Sequence, residues 1–113
     1  KQWYFGKSLD GFTPIGPCIV TADAFADYPP RLGIRSFVNG EKRQDSNTAL
    51  QIFDIDHVVA ELSQGMTLKA GTIIATGTPA GVGMGMDPPQ FLKPGDVVRC
   101  EIEGIGTLTN PVK

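Results

Sequence analysis

The chain has 113 residues, 41% hydrophobic and 19% charged, which is one globular domain's worth and excludes a disordered tail. Its formal net charge of −2 is spread without a basic stripe or a run of like charges, which argues against nucleic acid or an anionic membrane as partner. No apolar stretch approaches the ~20 residues of a membrane span and the first ten residues do not resemble a signal peptide, so a soluble cytoplasmic protein is expected, with the mitochondrion as the alternative.

In chain order, Trp3, Tyr4 and Phe5 come first, an aromatic cluster where chain ends are usually polar and frayed. It indicates a chain cut from something longer or docked on a partner. Pro14-Ile15-Gly16-Pro17 turns a corner into an expected strand from Pro17 to Thr21, and Ala22 to Leu32 reads as a loop. Ile34 to Val38 alternates with period two, Asn39-Gly40 is a type I′ hairpin signal, and Glu41 to Gln44 is the polar return strand. Asp54 caps a helix over Ile55 to Ser63, with Ile55, Val58, Val59 and Leu62 at helical spacing and Gly65 ending it. Leu68-Lys69-Ala70-Gly71-Thr72-Ile73-Ile74 then matches Leu92-Lys93-Pro94-Gly95-Asp96-Val97-Val98, each read as a turn launching a strand, at Thr72 to Ala75 and Val97 to Glu103. Gly104-Ile105-Gly106 leads to a last strand at Thr107 to Thr109. The sum is mostly β with one helix, a sandwich or roll with no internal boundary. Cys18 and Cys100 lack motif spacing and read as buried thiols.

The loop Thr76-Gly77-Thr78-Pro79-Ala80-Gly81-Val82-Gly83 draws most attention, because its glycines allow close backbone approach while two threonines offer hydroxyls and amides. It suits a carboxylate or enolate oxygen; a tight turn needing glycine only for geometry uses the same residues. It is not a phosphate loop, since Met84-Gly85 follow where a lysine and a hydroxyl residue are required. Lys7, between Gly6 and Ser8, serves either as an electrostatic clamp or as a solvated surface lysine. Asp10 reads as a turn residue, with Lys7 as its other partner. His57 is the only histidine and reads as a solvent-facing helix residue. Asp54 and Asp56 read as helix N-terminal charge, and Gln44, Asn47 and Thr48 as a polar cluster serving either loop capping or substrate contact. These residues form no convincing hard-metal constellation.

Gly6 to Phe12, Pro14 to Pro17, Val38-Asn39-Gly40-Glu41 with Arg43-Gln44 and Asn47-Thr48, the Thr76 to Gly83 loop, Leu92 to Asp96, and Ile105-Gly106 with Asn110 together resemble the fumarylacetoacetate hydrolase family. The resemblance runs along essentially the whole chain in order, and Asp87 to Leu92 is most similar to the domain-containing protein 2 subgroup. It implies the C-terminal part, residues 1–113, of a single catalytic domain with a mixed β-roll or β-sandwich fold, incomplete without upstream residues. It further implies a homodimer that binds Mg²⁺, with Mn²⁺ or Ca²⁺ as alternatives. The implied substrates are 2-oxo or β-dicarbonyl acids, hydrolysed at a carbon–carbon bond or decarboxylated through a metal-stabilised enolate. By position Lys7 matches the catalytic lysine supporting the metal and substrate oxygens, Thr78 matches a substrate-binding threonine, and Gly77 would bring the backbone close to the same group.

The departures bear on mechanism. The family's Glu-X-Glu pair, later Asp, substrate-gripping Arg and Gln, and the lid with its His-Glu pair would all precede Lys1, and neither His57 nor Asp10 substitutes for them. Gly11 stands where some relatives place a threonine near the metal and receives no ligand role. Thr72 replaces an acidic residue common at its turn, a change expected to affect local stability only. Two functions stay open: part of a metal-dependent hydrolase or decarboxylase whose 113 residues are inactive by themselves, or a non-catalytic remnant of the fold used for binding or assembly.

Overall fold

The computed structural model describes residues 2–113. Four strands, β1 (Gly33–Val38), β2 (Glu41–Asn47), β3 (Val97–Ile102) and β4 (Gly106–Pro111), make one antiparallel sheet in the order β2-β1-β3-β4. A short helix α1 (Trp3–Lys7) and the main helix α2 (Ile55–Gly65) accompany it, with 3-10 turns at Ala22–Ala24, Thr48–Leu50 and Gly83–Gly85. The expected class, mostly β with one main helix, is the observed one.

Two hairpins build the sheet, and the β1–β3 pairing joins them. Asn39 and Gly40 have φ of 52° and 85°, the two positive values a type I′ turn requires. The Asn39 side chain donates to Asp96 Oδ1 at 2.9 Å and accepts from the Val97 amide at 2.9 Å, while its backbone amide donates to the Val97 carbonyl at 2.9 Å. Asp96 in turn accepts from the Lys93 amide at 2.8 Å. These bonds brace the first hairpin against the Gly95-Asp96 turn and so set the register in which Val38 faces Val98 and Ile34 faces Ile102. The Asn39 amide, and then the Lys93 amide, hold the Asp96 carboxyl below its ordinary pKa.

Alternation along the strands separates two faces. One carries Ile34, Ser36, Val38, Val98, Cys100, Ile102 and Leu108, and no described residue is fully buried, so half-buried Ile34, Val38, Val98 and Leu108 mark the apolar layer. The other is charged: Asp45 lies 3.1 Å from Arg35 and 2.6 Å from Lys42, and the Arg99 guanidinium sits 4.1 Å from the centre of the Phe37 ring. These ion pairs are about half exposed and contribute little to stability.

Helix α2 begins as its sequence predicts, with the Asp54 carboxylate accepting from the His57 amide at 2.8 Å and Ile55, Val58 and Leu62 on its half-buried side. Gly65 is its last residue. Tyr28 donates to Asp56 at 2.8 Å and ties the preceding loop to α2; that bond, more than burial, raises the tyrosine pKa.

Three expectations are corrected, two strands and the burial of the thiols. Pro17 to Thr21 and Thr72 to Ala75 are not strands: both lie outside the sheet, whose edges β2 and β4 they do not join, and a β-branched run becomes a strand only where a neighbour completes its ladder. The aromatic cluster forms α1, closed by the Ser8 hydroxyl donating to the Tyr4 carbonyl at 2.7 Å, while Trp3, Tyr4 and Phe5 stay exposed. Both cysteines are free and exposed: Cys18 runs past the β3–β4 turn, where its sulfur donates to the Ile105 carbonyl at 3.8 Å, and Cys100 lies opposite Ser36 and Leu108 on the apolar face.

Candidate functional site

The second half of β2 holds the loop that the sequence singled out. Gln44 pairs with Ser36 and Lys42 with Phe37, which leaves Arg43 as the extra residue of a β-bulge. A bulge bends the strand and re-aims its side chains. Here Arg43 and Gln44, consecutive in sequence, both reach the chain segment 76–90.

Gln44 Nε2 donates to Thr78 Oγ1 at 2.8 Å and to the Pro79 carbonyl at 2.9 Å, while Gln44 Oε1 accepts from the Ser36 hydroxyl at 2.8 Å. Arg43 Nη1 donates to Gln90 Oε1 at 2.6 Å and approaches Met86 Sδ at 3.0 Å. Gln51 Nε2 donates to Thr76 Oγ1 at 3.1 Å. The segment therefore makes no strand of its own, yet side chains from β2 and the chain just after it grip it at five points.

The loop glycines explain how close it comes. A Cβ at Gly81 would overlap the Arg43 carbonyl, and at Gly83 it would overlap the carbonyl of Gln90, whose amide donates back to the Gly83 carbonyl at 2.9 Å. Only glycine lets the loop lie flat on the bulged strand and then fold back on itself. Thr78 rides on this platform exposed to solvent, beside Gly77 with φ of 105°.

The three residues of the polar cluster separate into different roles. Asn47 caps the Thr48–Leu50 turn by accepting from the Ala49 amide at 2.9 Å, and Thr48 donates to the Pro30 carbonyl at 2.8 Å while accepting from the Leu32 amide at 2.9 Å. Both are loop caps, and only Gln44 turns toward the candidate site. Sequence spacing had no signal for this: from the two-residue turn, unbroken pairing would set Arg43 opposite Ser36, and only the bulge brings Gln44 there.

Lys7 is exposed at the end of α1, with its carbonyl accepting from the Thr13 hydroxyl. Among the described residues no hydrogen bond joins it to the 76–83 loop, so Thr78 and Gly77 share one platform and Lys7 stands on a separate element. Asp10 makes neither of its two expected bonds; its turn is closed by the Phe12 amide donating to the Leu9 carbonyl at 3.0 Å. His57 is exposed and stacks on Phe53 at 4.7 Å. Among the described residues no three of His, Cys, Asp and Glu converge on a point where they could hold a metal ion. The metal that the resemblance implies does not fit any donor set among them. No described helix is long and apolar enough to cross a membrane.

Comparison with known proteins gives the family. The family model described as fumarylacetoacetate (FAA) hydrolase C-terminal matches residues 1–113. The mitochondrial oxaloacetate tautomerase fahd2 of Xenopus laevis is 50% identical over 112 residues, 99% of this chain and 35% of that protein. Among solved structures, the fumarylacetoacetate hydrolase of Exiguobacterium antarcticum superposes with a TM-score of 0.91 at 55% identity, covering 99% of this chain and 40% of that one. The maleylpyruvate hydrolase of Sphingobium sp. SYK-6, solved with manganese(II) and pyruvate, gives 0.82 at 42% identity over 96% of this chain and 38% of that one. The chain spans about a third of the length of the curated relatives it matches. With the family model matching every residue and the fold superposing at high identity, the chain belongs to the fumarylacetoacetate hydrolase family.

Proposed function

We propose that these residues form one wall of an active site acting on a small 2-oxo acid through its enol or enolate, in a cytoplasmic or mitochondrial enzyme that works as a homodimer. The observation that carries the reading is the gripped loop: the chain invests Arg43, Gln44 and close-packed glycines in presenting Thr78 on a flat backbone platform. Exposed hydroxyl and amide donors on such a platform match the carboxylate and enolate oxygens of a 2-oxo acid, whose developing charge they offset in place of water. Oxaloacetate is the first substrate to try, because the relatives near half identity include an oxaloacetate tautomerase; carbon–carbon hydrolysis of an acylpyruvate is the second, supported by the maleylpyruvate hydrolase.

In this reading a divalent metal, Mg²⁺ or Mn²⁺, is held by residues outside this chain and supplies Lewis-acid polarisation of the substrate oxygens. This chain's own part is binding and orientation. Thr78 donates to a substrate oxygen, Gly77 lets the backbone approach the same group, and Lys7 adds positive charge that steers and holds a dianion. The test is the rate of oxaloacetate enol–keto conversion by the whole protein, followed as loss of enol absorbance with Mg²⁺, with Mn²⁺, and with chelator. Metal-dependent acceleration is expected. No acceleration with oxaloacetate and no cleavage of acylpyruvates would leave the non-catalytic remnant as the correct reading.

A further inference from the structure

We propose that Ser36, Gln44 and Thr78 form a one-way hydrogen-bond relay that presents the Thr78 hydroxyl as a donor to an anionic ligand oxygen, which makes Gln44 a positioning residue. The ligand-facing half of this proposal rests on the 2-oxo-acid reading, and the relay itself does not.

The direction of the relay follows from which groups can donate. The Pro79 carbonyl can only accept, so the Gln44 side-chain atom 2.9 Å from it must be the nitrogen. The other amide atom is then the oxygen, and the Ser36 hydroxyl 2.8 Å away donates to it. The second hydrogen on Gln44 Nε2 goes to Thr78 Oγ1 at 2.8 Å, so that oxygen is an acceptor on its inner side and its own hydrogen is left for a partner on the open side. No acceptor touches Thr78 Oγ1 among the described residues, so it is set up as a donor and not as a nucleophile awaiting a base. A hydroxyl that already accepts a hydrogen bond is polarised to donate more strongly.

The fold explains why the residue is a glutamine. The bulge at Arg43 puts Gln44 opposite Ser36 and under the loop, where two acceptors, the Pro79 carbonyl and Thr78 Oγ1, both need hydrogens from one side chain. A carboxylate at the same place would repel the Pro79 carbonyl and accept a hydrogen bond from the Thr78 hydroxyl, which reverses the relay. A methionine would fill the space with no direction at all.

Two measurements on the whole protein separate the relay from its use. The first reads the Gln44 side-chain amide protons by NMR, identified by their loss in Gln44→Met. Exchange slowed at least about tenfold relative to free glutamine, as two bonded hydrogens require, and a shift on Ser36→Ala are expected. Exchange as fast as free glutamine overturns the relay whatever the protein binds. The second titrates oxalate, a planar dianion resembling the pyruvate enolate, in the presence of Mn²⁺. Thr78→Val and Gln44→Glu should each weaken oxalate about tenfold or more, the size of one lost bond to a charged group, while Thr78→Ser stays within about threefold. The Gln44→Glu loss should shrink, relative to wild type at the same pH, as acid returns a proton to residue 44. Gln44→Met combined with Thr78→Val should bind no more weakly than Thr78→Val alone, because Gln44 acts through Thr78.

Losses that multiply in the double variant, or oxalate binding unchanged by Thr78→Val, overturn the donor role. Wild-type protein that binds neither oxalate nor pyruvate and turns over no 2-oxo acid overturns the functional reading and the ligand-facing half with it, and the amide exchange still decides the relay. Ser36→Ala keeps Gln44 in place and covers the case in which Gln44 variants fail to fold; an unchanged thermal midpoint with shifted amide resonances supports the relay.

Discussion

Two stretches of this chain carry the same turn and end differently. The Thr72 amide donates to the Lys69 carbonyl at 3.0 Å, the Asp96 amide donates to the Lys93 carbonyl at 3.0 Å, and Gly71 and Gly95 have φ of 84° and 96°. After the second turn Val97–Ile102 becomes β3, paired on both sides; after the first, Thr72 to Ala75 joins no ladder and runs on into the candidate site. The turn is local, but the fate of the residues after it depends on their neighbours in space. The β3 stretch is held by repeated backbone bonds to two neighbours, and the loop after the first turn is held by single side chains from β2. A ladder spreads stability over many bonds. A grip concentrates it in a few, which gives one exposed threonine a defined place and makes the region sensitive to small changes.

The largest effect is expected where the grip has no slack. Gly81→Ala drives a methyl into the Arg43 carbonyl at a backbone φ of 105°, so the loop must lift off β2. Destabilisation of about 2–4 kcal/mol by chemical denaturation, and loss of ligand binding beyond what the stability change explains, are expected. If binding survives, the loop is not the site wall. Asn39→Ala attacks the laddered region at the side chain that braces the hairpin against the Gly95-Asp96 turn, and a loss of about 1 kcal/mol with ligand affinity retained is expected. Equal loss of affinity would mean that the two regions are not independent.

The pH dependence sharpens the same contrast. Asp96 is held below its ordinary pKa by Asn39 and Lys93, and Asp45 by Lys42, so both stabilise the folded chain fully above the ordinary carboxylate range. That stability is lost as pH falls through their lowered folded values. Thermal midpoints measured across acid pH should therefore fall, and Asp96→Asn should flatten that fall while lowering the midpoint at neutral pH. The smallest effect is expected at Thr72→Asp, which gives the first turn the carboxylate that Asp96 gives the second by accepting from the Lys93 amide. A small rise in thermal midpoint is expected, with ligand binding unchanged. If the added carboxylate instead weakens ligand binding, the first turn belongs to the site.

Much was legible in the residues because its physics is local. The Asn39-Gly40 hairpin, the Asp54 cap of α2 and the two Gly-turns each depend on hydrogen bonds and φ values within a few residues, and the alternation in β1 and β3 follows from the pleat. The family resemblance rested partly on such signals, the Asn39-Gly40 hairpin and the Leu92 to Asp96 turn, and partly on the Gly6 to Phe12 and Thr76 to Gly83 motifs. The roles of Gln44, Asn47 and Thr48 were not separable in sequence, because the partners that distinguish them lie 35, 2 and 18 residues away. Pro17 to Thr21 and Thr72 to Ala75 show the same limit, since strand propensity is realised only beside a partner strand. Composition showed that the glycines of the loop allow close approach; which surface they approach, the bulged strand at Arg43 and the Gln90 carbonyl, depended on non-local packing. The sequence by itself determined the turns, the caps and the family. The tertiary structure decided that one glutamine on a bulge aims one threonine outward, because a hydrogen bond between residues 34 positions apart exists only after the chain has folded.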